Sequence, residues 1–163
     1  MKQIFDAAQF VPTQFDTAED KAWFANHFFR FIEGDFKESL FTERFYRRLS
    51  HCFFHIAHYN RQGFYSVWFS SVQNQLRFLE YTLECWACGD PAFTYCDVKR
   101  AIQQRLGASA LIERCRTKLQ AETEARERAL LEKLKRKYEP APESVQTSRP
   151  ACVPIQASQI DLF

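Results

Sequence analysis

The stretch ERFYRRLSHCFFHIAHYNR, residues 43–61, gathers the side chains best suited to binding an anion or a metal. Arg44, Arg48, His51, His55 and His58 recur every three or four residues and so share one face of a helix, with Arg47 and Arg61 beside them. Three readings of that face stand open. It is a solvated helix side with some histidines half buried. It is a phosphate-binding surface, in which the arginines place fixed charge and the histidines add donors that strengthen as pH falls toward about 6.5. Or it is a metal site, since an i, i+4 imidazole pair can meet one ion. Against the metal, the third imidazole lies nearly two turns from the first, and position 52 is cysteine, so no HExxH glutamate is present.

A second cluster is CWACGDPAFTYC, with Cys85 and Cys88 as a CxxC and Cys96 after a turn. A structural zinc needs four ligands in a tetrahedron; three are offered here, with His58 or Cys115 as a conceivable fourth. One CxxC without a second pair competes with ordinary core thiols, and core thiols are the expectation. Purified protein is expected to hold no stoichiometric metal and no cofactor. No βαβ pattern surrounds the pair to suggest a thioredoxin-type use. Serines and acids are unclustered, and none of the four glycines forms a GxGxxG or GxxxxGK[ST] loop. Nothing names a reaction, and the balance is against an enzyme.

The elements that must position these groups read as helices. Thr17 followed by Asp20 resembles a capping box, opening a helix to about residue 33, where Gly34 can end it. Phe24, His27, Phe28 and Phe31 mark its buried side. Thr42 can cap a second helix to about Asn60, with Phe45, Leu49, Cys52, Phe53 and Ile56 facing the core. Gly63 interrupts, and a third helix covers 65–87, with Trp68, Val72, Leu76, Leu79, Leu83 and Trp86 in period. Gly89, Asp90 and Pro91 break the chain. A short helix follows from Asp97 to Leu106, closed by Gly107. The longest helix, 109–138, is rich in strong helix formers, and its apolar line is thin in the middle. Residues 1–16 read as an extended lead-in packed on the domain. The expected architecture is one all-α domain, residues 1–138, ending in that long charged helix. A flexible proline-rich linker, 139–158, and a disordered terminal peptide, 159–163, follow.

Bulk properties agree with a single domain of 163 residues. Seventeen phenylalanines, with six tyrosines and three tryptophans, predict a core thick in aromatics. The net charge of +2 is too small to imply nucleic acid by itself; residues 1–138 carry +4 and the remainder −2. No secretion signal or membrane span is visible, and six cysteines in such a chain read as reduced thiols. A cytoplasmic protein with no membrane partner is expected; the oligomeric state is not legible.

The last five residues, Gln159, Ile160, Asp161, Leu162 and Phe163, place three apolar side chains beyond the linker. QIDLF resembles the short motif by which bacterial replication and repair proteins dock on the DNA polymerase sliding clamp: Gln, an aliphatic residue, Ser or Asp, then Leu-Phe. All five positions match, with Ile in place of the commoner Leu. The resemblance covers these five residues and no others. It implies an accessory protein of bacterial DNA replication or repair, encoded by a host or a mobile element, whose partner is the clamp; DNA is a further partner on the phosphate-binding reading of the residue 44–61 face. Two other expectations stand beside it. One is a nucleic-acid-acting or metal-dependent enzyme that the tail recruits. The other is a helical regulator that binds a partner through 109–138. The structural alternative for the tail is that Ile160, Leu162 and Phe163 fold back onto the chain's own core.

Overall fold

A computed structural model describes residues 4–53 and 60–139. The protein is all-α. Six α-helices follow in order among the described residues: α1 (Ala18–Glu33), α2 (Glu43–Phe53), α3 (Arg61–Phe69), α4 (Val72–Glu84), α5 (Cys96–Gly107) and α6 (Leu111–Tyr138). No strand occurs among them. None of these helices is long and apolar enough to cross a membrane. The chain divides into two compact units, one ending at Ala125 and the other beginning at Arg126.

The starts of α1 to α4 follow from local chemistry. At α1 the Thr17 side chain accepts from the Asp20 amide while Asp20 accepts from the Thr17 amide, so the capping box satisfies two orphan donors. Thr42 accepts from the Phe45 amide at the start of α2. Asn60 caps α3 by accepting from Gly63 at 2.7 Å. Gly63 therefore lies in the first turn of a helix and does not interrupt one. The single helix expected over 65–87 is two helices. Ser71 adopts extended backbone (φ −143°, ψ 154°) and caps α4 through the Asn74 amide, which breaks the run after Phe69. At the far end α4 stops at Glu84, so Trp86 leaves the helical period and stands 83% exposed. Residues 54–59, the end of the expected second helix, lie outside the described residues.

The first unit closes around aromatic rings. Phe24, Phe28, Phe31, Phe41, Phe45 and Phe78 are fully buried. Phe69 meets Phe31 at 4.9 Å and Phe78 at 4.9 Å, both edge-on, the arrangement the ring quadrupole favours. The lead-in is only partly extended. Asp6 caps a 3₁₀ turn at Ala7–Gln9, and Phe5 and Phe10 are buried on either side of it. The Asn26 side chain of α1 holds that segment by accepting from the Ile4 and Phe5 amides and donating to the Phe5 carbonyl. Between α1 and α2, Asp35 and Phe36 take left-handed backbone (φ 59° and 54°), uncommon for non-glycine residues and more so for a bulky one. Phe36 is held there by burial, by stacking on Phe69 at 5.5 Å, and by the Tyr65 hydroxyl donating to its carbonyl.

His27 of α1 is half-buried between the rings of Trp23 and Phe45, with Nε2 2.8 Å from the Leu40 carbonyl. Burial holds its imidazole below the ordinary histidine range, with Arg30 and Arg44 adding to the depression. As pH falls below about 6.5, the unfolded chain takes up this proton first. Stability is therefore complete above that pH and is lost as pH falls toward the folded value. Urea midpoints measured from pH 8 to pH 5 should drop more steeply for the wild-type chain than for His27→Gln. Parallel profiles would show that His27 does not carry the pH response.

Candidate functional site

Four of the residues expected on the basic face, Arg44, Arg47, Arg48 and His51, are found on α2; Arg61 starts α3. His55 and His58 lie outside the described residues. Glu43, Arg44, Arg47, Arg48 and His51 line a surface depression of about 520 Å³. The helix brings the arginines to one side, and carboxylates from nearer the N-terminus answer them. Arg44 donates to Asp20 at 2.7 Å and lays its guanidinium 3.9 Å from the Trp23 ring centre. Arg48 forms a two-pronged pair with Asp16, one contact at 2.6 Å. Arg47 pairs with Glu43 one turn earlier at 2.9 Å. Arg61 donates to the Phe41 carbonyl at 2.7 Å.

This arrangement has a clear structural use. Asp16 and Asp20 flank the start of α1, so Arg48 and Arg44 fasten α2 to that start. The Thr17 amide, donating to Asp20, holds its carboxyl below the usual range, and the Arg44 charge pulls the same way. A phosphate arriving in the depression would compete with a carboxylate already in place at each of the three guanidiniums. His51 is exposed and presents its ring edge-on to Tyr95 at 6.1 Å. Tyr95 is buried among Lys21, Arg48 and His51, and its hydroxyl lacks a hydrogen-bond partner among the described residues. Burial pushes that phenol far above its ordinary range, so it stays protonated.

The three candidate thiols occupy different environments. Cys85 caps α4 just past its end, half-buried, with its sulfur 3.5 Å from the Phe53 carbonyl. Cys88 is exposed. Cys96 is buried, and its thiol donates to the Gly89 carbonyl at 2.9 Å. Residues 85–88 are not helical, so the CxxC does not present two sulfurs from one turn. Among the described residues no group of three or more His, Cys, Asp or Glu side chains is placed to hold a metal ion. Cys52 and Cys115 are buried thiols pushed upward by that burial, which keeps them protonated and poor ligands.

Sequence reasoning missed Lys21. It is fully buried, and its ammonium donates to the Pro91 carbonyl at 2.8 Å, the Thr94 carbonyl at 3.0 Å and the Asp97 carboxylate at 3.1 Å. Its position on the inner side of α1, one turn before Phe24 and Ala25, was the only available signal. Gln159 to Phe163 lie outside the described residues. No protein-family model matches this chain, and neither curated proteins nor solved structures include one similar to it at a significant level.

Proposed function

We propose that this chain is an accessory protein of bacterial DNA replication or repair that docks on the sliding clamp through Gln159, Ile160, Asp161, Leu162 and Phe163. The observation that carries the reading is the match of QIDLF to the clamp-docking pattern at all five positions. The preceding stretch, EPAPESVQTSRPACVPIQAS, supports it, because a proline-rich segment of 20 residues without periodicity suits a tether. Leu162 and Phe163 enter an apolar pocket of the clamp, Ile160 fills a smaller depression, and the Gln159 amide donates and accepts at the rim. Asp161 stays near solvent.

Burying the three apolar side chains contributes roughly 1.5–3 kcal/mol each. Ordering the peptide takes back about 1–2 kcal/mol per residue. The two ranges nearly cancel, and hydrogen bonds from Gln159 add to what remains, so binding is weak enough for partners to exchange on one clamp. The test is a peptide of residues 154–163 titrated into purified clamp, beside the same peptide carrying Leu162→Ala and Phe163→Ala. Saturable binding by the first and none by the second is expected. No binding at about 100 μM would reject the reading. In the whole chain the same double substitution should leave the melting temperature unchanged; a fall would support the tail packing on its own domain.

A further inference from the structure

We propose that the chain contacts duplex DNA through the C-terminal part of α6, residues 126–138, rather than through the arginine face of α2. Residues 1–138 carry a net +4, and the segment RERALLEKLKRKY alone carries +4, with six basic and two acidic residues. Everything before Arg126 is therefore neutral in sum. The two basic surfaces also differ in what surrounds them. On α2, each arginine is answered by Asp16, Asp20 or Glu43. On α6, Lys133, Lys135, Arg136 and Lys137 make no ion pair among the described residues. Four cations without an ion pair in five positions, one of them, Lys137, lying 4.9 Å from the centre of the Tyr138 ring, exceed what complementing a helix dipole asks for.

Their placement points to a duplex. Leu130, Leu134 and Tyr138 recur every fourth residue, Leu131 lies beside them, and all four are exposed, from 44% to 67%. Lys133 and Lys137 border that stripe on one side and Lys135 on the other. A helix about 10–12 Å across fits a major groove about 12 Å wide. Cations on both flanks then reach the phosphates of both walls, while the apolar stripe faces base edges and thymine methyl groups. A second copy of this helix is the poorer occupant, because it brings the same +4 to the same flanks.

The inference stands apart from clamp docking, so either can fail alone. The test uses the whole chain and a fluorescent 20-base-pair duplex, with affinity read by anisotropy between 50 and 200 mM salt. Changing Lys133, Lys135, Arg136 and Lys137 together to Gln should reduce the slope of log affinity against log salt by about 3–4. Across that salt range the wild-type affinity should then fall about 100-fold more than that of the variant. Lys133→Arg, Lys135→Arg and Lys137→Arg together should keep the wild-type slope, which guards against a folding artefact. Arg44→Gln with Arg47→Gln should leave it within about half a unit. Three results would overturn the proposal: no duplex binding by the wild-type chain at 50 mM salt, a slope that flattens in the α2 variant and not in the α6 variant, or α6-dependent binding to vesicles of phosphatidylcholine and phosphatidylglycerol without duplex binding. The last would assign the helix to an anionic membrane surface.

Discussion

Replacing Lys21 with methionine should destabilise the fold by about 3–5 kcal/mol, the range for breaking a buried charge pair by removing one partner. Methionine nearly keeps the volume, so the loss is not that of a cavity. It comes from what remains: the Pro91 and Thr94 carbonyls lose a donor, and the Asp97 carboxylate, 15% exposed, loses its cation. Asp97 keeps two amide donors, Val11 at 3.0 Å and Val98 at 2.8 Å, which limits the loss without cancelling it. At roughly 3 °C per kcal/mol for a chain of this size, the melting temperature should fall by about 10–15 °C. Lys118→Met is the control. Its pair with Asp35 at 2.8 Å is exposed on both sides and should be worth less than about 1 kcal/mol. Equal effects of the two substitutions would show that the buried ammonium is no more than a surface charge in disguise.

Phe41→Ala should cost a similar amount, about 3–5 kcal/mol, by a different route. Phe41 is fully buried at the junction of α1, α2 and α3. Six rings approach it: Phe31 at 5.5 Å, Phe45 at 5.9 Å, Tyr46 and Phe64 at 6.0 Å, Tyr65 at 5.4 Å and Phe69 at 5.3 Å. Truncation opens a cavity that rings cannot collapse into without leaving their rotamers. Phe41→Leu should recover most of the loss, leaving about 1–1.5 kcal/mol. The edge-on contact with Phe69 should appear as a coupling of about 0.5–1.5 kcal/mol in a double-mutant cycle. Phe15→Ala, at a side chain 86% exposed, should change the urea midpoint very little. If Phe41→Ala matched Phe15→Ala, the ring cluster would not be what holds the helices together.

The helices were legible wherever a local signal governs. Thr17 with Asp20, Gly34 at the end of α1 and the phenylalanine period of α1 are short-range patterns, and the structure follows them; Gly107, expected to close α5, is instead its last helical residue, with Ala108 as the cap. The break at Ser70 and Ser71 was not legible. Serine is a weak punctuator, and the apolar period of α3 runs on into α4 as if one helix continued. The site was less legible than the fold because its decisive contacts are distant in sequence. Asp16 meets Arg48 across 32 positions and Asp20 meets Arg44 across 24, so a window on residues 43–61 holds the Glu43–Arg47 pair but cannot reveal the partners of Arg44 and Arg48. Lys21 was hidden for a related reason: a lysine is expected at the surface, and only a three-acceptor pocket assembled from residues 91–97 lets it be buried.

That pocket sets an order of events during synthesis. Lys21 leaves the ribosome some 70 residues before the carbonyls of Pro91 and Thr94, and 76 before Asp97. Until then the ammonium has no acceptors, and burying it bare is prohibitive. The nascent chain must therefore keep that side of α1 in water, with the phenylalanines beside it incompletely covered, until α5 has been made. Translation slowed before Asp97 would prolong an aggregation-prone intermediate, and a fragment ending at Glu84 would not fold as a smaller version of the same domain.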